Sequence, residues 1–156
     1  IRRIFADSDS QICGDNWMPL QDKDISDKIL NAFFAVYNGL GYGYLEKVYE
    51  NAMVFAMRQR GLHVEQQRRI SVYFEGMMVG DYYADILVED KIIVELKAAE
   101  SIAESHIAQL MNYLKATPCE VGFVLNFGPE ASFKRLLFSN FKKRNLKASV
   151  ESAESV

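Results

Sequence analysis

The sequence predicts an α/β (α+β) domain, a mixed sheet flanked by helices. Three observations carry this. Two segments with a helical apolar period precede a strand-rich block. That block reads as a three-strand meander with short polar turns. A further helix and a strongly apolar strand follow, an order that suits a layered sheet-and-helix domain. The chain has 156 residues, enough for one domain with one core.

Residues 1 to about 20 mix Asp, Ser, Gln, Gly and Asn without periodicity and read as a poorly ordered arm. Phe5 and Trp17 are candidate tethers, and Met18 is a candidate natural start. The helical period begins at Asp24, with Ile25, Ile29, Phe33 and Val36 on one stripe. Asp22 or Asp24 is placed to cap it, and Asn38-Gly39 to end it. Leu40-Gly41-Tyr42-Gly43 is a glycine-rich connection that lacks the Lys-Ser/Thr ending of a phosphate loop.

A second helix is expected from Tyr44 to Arg60, stopped by Gly61. Leu45, Val48, Ala52, Phe55 and Ala56 form its apolar face, and Glu46, Tyr49 and Met53 a neighbouring stripe. The meander runs Arg69 to Phe74, a turn at Glu75-Gly76, Met77 to Val88, a turn at Glu89-Asp90, then Lys91 to Lys97. The Ile92-Ile93-Val94 centre of its third strand looks buried on both faces, hence central. Ser101-Ile102-Ala103-Glu104 is a capping box opening a helix to about Ala116, ended by Thr117-Pro118. Glu120 to Phe127 is the next strand, closed by Gly128-Pro129. Phe133, Leu136, Leu137 and Phe138 suggest a last short helix, and residues 142–156 a polar tail that frays from about Asn145. The domain is expected to span residues 21–141.

Composition narrows the function classes. At 49% hydrophobic and 25% charged the chain is of soluble, globular type. No apolar run approaches the ~20 residues of a membrane span. Ile1-Arg2-Arg3-Ile4-Phe5 lacks the apolar stretch of a signal peptide, so the expected location is the cytoplasm. Cys13 and Cys119 lie far apart and in no paired motif, and neither His63 nor His106 shows zinc-ligand spacing. The net charge of −3 is not the strongly basic balance that advertises nucleic-acid binding. Two local basic clusters exist, Arg58/Arg60/Arg68/Arg69 and Lys142/Lys143/Arg144, and solvated faces are the simpler reading of both.

The candidate chemistry sits in the meander. Glu95 and Lys97 are two apart in one strand and therefore share a face. If Glu89-Asp90-Lys91 is a three-residue loop closed by Val88 and Ile92, Asp85 lies directly opposite Glu95. A two-residue turn would set it opposite Val94 and separate the carboxylates. Paired carboxylates suit Mg²⁺ or Mn²⁺, hard cations that take oxygen ligands, with the Leu96 carbonyl as a third ligand. Such an ion acidifies a bound water and polarises a phosphate oxygen, and Lys97 can orient that water or stabilise developing charge. Spacing alone leaves open that the three are strand-end charges pairing with each other. The context argues otherwise, since charges directly following a buried Ile-Ile-Val run must pair or bind something.

Asp85 followed by Glu95-Leu96-Lys97 on adjacent strands resembles the PD-(D/E)xK signature, and the order from Tyr44 to Phe127 resembles that superfamily's restriction-endonuclease-like α-β-β-β-α-β core, here with an extra N-terminal helix. Gly43-Tyr44-Leu45-Glu46-Lys47-Val48-Tyr49 is similar to the pattern that names the GxxExxY family, as are Val94 to Ala98, Gln109 to Leu114 and Asn126-Phe127-Gly128. The likeness covers roughly residues 24–138. It implies a metal-dependent nuclease acting on nucleic acid, DNA before RNA, with Mg²⁺ or Mn²⁺ as cofactor. A homo-oligomer or a helicase-type partner would supply further binding surface. It implies Glu46 as the helical acidic residue, a metal ligand or water-positioner. It implies that Gln109 and Tyr113, i and i+4 on one helix face, resemble the Gln-x-x-x-Tyr motif of RecB-like exonucleases, with His106 one turn earlier as a neighbour. Two alternatives stand beside the nuclease, a catalytically quiet nucleic-acid-binding or repair-accessory module and a protein-interaction domain.

Residues 1–17 carry no expected catalytic group. A chain beginning at Met18 should keep its circular-dichroism spectrum and melting temperature; loss of folding would show that the arm belongs to the core.

Overall fold

The computed structural model describes residues 20–144, with side chains from Asp22 onward. The expected arm, including Phe5, Cys13, Trp17 and Met18, and the tail from Asn145 lie outside the described residues. The order is α1 (Leu20–Leu40), α2 (Glu46–Gln59), β1 (Val64–Phe74), β2 (Met77–Val88), β3 (Ile92–Lys97), α3 (Glu104–Ala116), β4 (Val121–Phe127) and β5 (Ala131–Leu137), then a 3₁₀ turn at Asn140–Lys142. The five strands form one sheet in chain order. Only β3 and β4 pair in parallel, with α3 as their crossover; the other neighbours are antiparallel.

Two cores cover the two faces of this sheet. Ile92, Val94 and Leu96 of β3 pack with Ile29 and Phe33 of α1 and with Tyr49, Met53 and Met57 of α2. Ile93, from the opposite face, packs with Leu110, Tyr113 and Leu114 of α3 and Val124 of β4. The unbroken apolar run of β3 is thus explained by burial on both sides. Gly122 lets α3 approach β4 closely, since a Cβ there would stand 2.7 Å from Leu110 Cδ1.

Several boundaries differ from the sequence expectation for identifiable reasons. Helix α1 starts at Leu20, so Asp22 lies within its first turn and neither it nor Asp24 is the cap. It ends at Leu40, past Asn38-Gly39; Gly41 takes the left-handed conformation (φ +67°) and its N–H donates to Tyr37 O at 2.8 Å. Strand β1 begins at Val64, five residues earlier than expected. Helix α3 starts at Glu104 with Ala103 as its N-cap; alanine has no oxygen to offer, so the Ser101 capping box does not form. Instead His106 Nδ1 accepts the Ala103 N–H at 3.1 Å. The residues read as a last helix form β5, antiparallel to β4. Four apolar residues were too few to fix a period, and β4, buried along its whole length, is paired on its outer edge by this strand. The second basic cluster is not uniformly solvated. Lys143 is buried, and its ammonium donates to the Thr117 and Cys119 carbonyls at 2.7 and 2.6 Å, beyond the C-terminal end of α3.

Asn126 and Gly128 hold the chain where it leaves β3. Asn126 is fully buried, pairs in register with Lys97, and exchanges two 3.0 Å hydrogen bonds with the backbone of Ala99. A Cβ on Gly128 would stand 2.3 Å from Ala99 O. Gly128→Ala should therefore destabilise the fold by about 2–3 kcal/mol, the scale of a small-to-large change with no room to relax, read as a lowered midpoint in chemical denaturation. An unchanged midpoint would show that the approach is not tight.

Candidate active site

Register and turn geometry build the centre of the site. Glu89 and Asp90 both have positive φ (+53° and +55°), and β2 pairs β3 as Val88 with Ile92, Leu87 with Ile93 and Ile86 with Val94. This is the three-residue connection, and one step further it sets Asp85 opposite Glu95. There the backbone ladder stops and side chains take over. The Asp85 N–H donates to Glu95 Oε1 at 3.0 Å, and the Leu96 N–H donates to Asp85 Oδ2 at 2.9 Å. Each strand's carboxylate thus accepts from the other strand's backbone, satisfying donors that a burial of this depth requires to be paired.

The irregularity extends into β1. Gln67, in line with Asp85 in the β1–β2 register, leaves the extended region (φ +56°) and drops out of the ladder. On β2 the alternation breaks at the same level: Ile86 and Val88 join the α1–α2 core, but Ala84 and Leu87 join the α3 core. Asp85 sits at this break in the alternation.

Electrostatics follow from this crowding. Glu95 is 2% exposed, and its pKa is raised to about 8, by burial first and by the Asp85 charge second. Asp85 is also raised, by burial first and with the charge of Glu50 contributing; the Leu96 N–H pulls it back. Burial and mutual repulsion thus both disfavour the doubly ionised state of the pair. Lys97, half-buried, favours the ionised form of both carboxylates.

The helices add groups from either side. Glu46 is exposed at the start of α2, and the carboxylate that this helix buries is Glu50, one turn later and 5% exposed. Glu50 accepts from Lys47 Nζ at 2.9 Å and from Gln67 Nε2 at 2.7 Å, and its charge reaches Asp85. Of the two acidic residues of this turn, Glu50 is thus the one whose charge bears on Asp85. Helix α2 is apolar on two sides, and the expected face is only partly the inner one: Leu45, Val48 and Phe55 are exposed, Ala56 is buried with Ala52 packed beside it, and the centre of the inner side is Tyr49, Met53 and Met57. Glu46 and Glu50 are i and i+4 on the Tyr49/Met53/Met57 side, and the available signal was that Glu50 lies a full turn inside the helix. Tyr49 is structural: its ring stacks on Phe127 at 4.2 Å, and its hydroxyl donates to Gly41 O and accepts from Tyr44 N–H, fixing the loop before α2.

From α3, Gln109 Nε2 donates to the Tyr113 hydroxyl at 3.1 Å. Tyr113 is 5% exposed, and its pKa is raised by burial and then by the charge of Glu95, with Asp85 also contributing. Tyr113 is thus close enough to both carboxylates to feel their charge. His106 is engaged instead in capping α3 through Nδ1.

Other charged groups are engaged elsewhere. Arg58 binds the Val64 carbonyl, Arg60 binds Asn31 and the Ala56 carbonyl, Arg68 pairs with Glu65 and Arg69 with Asp81. His63, Glu65 and Asp90 place ligand-type atoms within 4.8 Å of one another. That cluster lies at the turn end of the β2–β3 hairpin, its His63 and Asp90 exposed and Glu65 bound to Arg68 at 2.8 Å. Among the described residues, no helix is long and apolar enough to cross a membrane.

Residues 23–136 match the family model of the PD-(D/E)XK nuclease superfamily. The chain belongs to that superfamily. The match spans every element from α1 to β5, including the Gly43-to-Tyr49 segment, Asp85, Glu95 and Lys97. No curated protein matches the chain. The superfamily member's fold is similar to that of a protein whose solved structure is named SSO0001, with a TM-score of 0.50, 14% identity, and coverage of 86% of this chain and 68% of that one. An alkaline exonuclease from Laribacter hongkongensis is more distant, with a TM-score of 0.39, 12% identity, and coverage of 81% and 74%.

The raised Glu95 pKa sets a pH dependence. Its folded pKa of about 8 lies above the ordinary 4.5, so the folded state binds more protons than the unfolded state between these values, and stability falls as pH rises through that window. The metal-free protein should melt higher at pH 5 than at pH 8. Glu95→Gln should flatten that slope and raise the melting temperature at pH 8. Equal slopes for both proteins in chelator-treated thermal melts would contradict the assignment.

Proposed function

We propose that this superfamily member is a divalent-metal-dependent nuclease that hydrolyses phosphodiester bonds in DNA. The observation that carries the reading is the Asp85–Glu95 pair, two carboxylates held together where β2 and β3 part, with Lys97 on the same strand and side as Glu95. The donor set is all oxygen, which fits Mg²⁺ or Mn²⁺. Asp85 and Glu95 would hold the ion, with the Leu96 carbonyl and, from α2, Glu50 completing the set in place of Glu46. When bound, the ion polarises the phosphate and lowers the pKa of a coordinated water.

The chain's own groups supply the rest. Lys97 orients the attacking water through a hydrogen bond and stabilises charge gathering on the phosphoryl oxygens. The Tyr113 hydroxyl accepts from Gln109, which leaves its own proton free to donate to a substrate phosphate oxygen. Gln67 fixes Glu50 at the edge of the site. Attack of water oxygen on phosphorus breaks the bond to the leaving sugar oxygen; the water gives up a proton to solvent, and the leaving oxygen takes one from solvent water to depart as the alcohol.

Cleavage of labelled DNA and RNA strands with Mg²⁺ or Mn²⁺ tests this. Lys97→Met should lower the cleavage rate by roughly 10²-fold or more, the scale of losing a positioned proton-transfer or charge-stabilising group, while Asp85→Asn should reduce it to background. Undiminished cleavage by the Lys97→Met protein would rule out this mechanism, and absence of wild-type cleavage on any strand would favour an accessory module.

A further inference from the structure

The β1–β2 ribbon runs on past the sheet as an arm. From the level of Arg69 outward it carries Tyr73, Phe74, Met77, Met78, Tyr82 and Tyr83, each 45–70% exposed. Large apolar side chains exposed in such number on one arm are a mark of an interaction surface. β1 is an edge strand, with no neighbour on its outer side among the described residues. From Ile70 to Tyr83 the arm has no lysine, arginine or proline, the residues that ordinarily keep an open edge from pairing.

We propose that this arm is a self-association surface, and that its partner is a second copy of the chain, paired antiparallel through β1 about Val72. The sequence of the edge is self-complementary in that register. Ile70 falls opposite Phe74 of the second copy, Ser71 opposite Tyr73, and Val72 opposite itself. Ile70, Val72 and Phe74 share one face by alternation, so the apolar residues meet apolar residues. Past the paired stretch, Arg69 at the base of one arm comes level with the turn of the other, which carries Glu75 (φ +47°), so opposite charges approach at each end. Arg69 already binds Asp81 at 2.8 and 3.0 Å, and a guanidinium has donors to spare for a second carboxylate.

A single-stranded nucleic acid is the rival occupant of an aromatic ribbon. Such platforms combine stacking rings with a positive groove that follows the backbone. Within Ile70–Tyr83 the only charges are Glu75 and Asp81, which favours protein over phosphate. The pairing still bears on the site. Tyr82 lies 6.1 Å from Tyr113, and Asp85 is three residues further along the same strand, so two copies joined at β1 present both sites on one continuous sheet. This surface is independent of whether the site is a nuclease.

Light scattering on the size-exclusion eluate of the full chain reads the association directly. The wild type should be a dimer at micromolar concentration. Val72→Lys and Val72→Glu each set like charges opposite one another, and each should weaken association tenfold or more; mixing the two in equal amounts should restore the dimer. In a Cys13→Ser background, Val72→Cys should crosslink to a symmetric dimer on oxidation, because paired residues in an antiparallel ladder stand ~4.5–5.5 Å apart. A monomeric wild type, or charge variants that stay dimeric, would overturn the proposal. So would a monomer whose binding of a single-stranded oligonucleotide falls tenfold in Phe74→Ala and Tyr82→Ala, which would give the arm to nucleic acid.

Discussion

Two carboxylates pressed together in a sheet interior are the constraint around which this molecule is arranged. Asp85 and Glu95 could relax apart only if the strands slid, and the strands cannot slide. A one-residue slip would turn every apolar side chain of β3 to the wrong core. The register is pinned at one end by the left-handed Glu89-Asp90 turn, and β3 is flanked by paired strands on both sides. The like charges are therefore held by the apolar packing of the whole sheet. The cost appears locally as a proton retained by Glu95 up to about pH 8. Strain of this kind is a common mark of a functional site; a fold selected for stability alone would replace one carboxylate with an amide.

The elements around the pair each answer a need it creates. The backbone N–H groups of Asp85 and Leu96 give the carboxylates donors. Gln67, bent out of the β1 ladder, holds Glu50 beside them. The Asn126 amide and the bare Cα of Gly128 fix the chain just after Lys97, so that lysine leaves the sheet in a defined direction. Tyr49, the tyrosine that ends the glycine-to-tyrosine motif, acts two steps away: it stacks on Phe127 and clamps the loop that aims α2. Residues without any reacting role are thus as tightly specified as those with one.

Much of this was legible in the sequence, for physical reasons that vary by element. The meander could be read because strand alternation and turn signals are local; counting left two registers, and the three-residue turn that sets Asp85 opposite Glu95 is decided by the structure. Gln109 and Tyr113 could be placed on one face of α3 by helical spacing. Glu50 could not be separated from Glu46 by period, because i and i+4 share a helix face; Glu46 is exposed as the first residue of α2, and one turn further in the same face is buried. β5 was misread as a helix because its formation is decided by the neighbouring edge of β4. The kink at Gln67 has no local signature, since nothing in Gln66-Gln67-Arg68 favours a left-handed backbone.

If the pair exists to receive a cation, binding must displace the proton that Glu95 retains. Calorimetric titration of the chelator-treated protein with Mn²⁺ at pH 7, repeated in two buffers of different ionisation enthalpy, counts that proton. The account predicts about one proton released per ion at pH 7 and progressively fewer above pH 8. Binding without proton release at pH 7, or no binding at all, would contradict it.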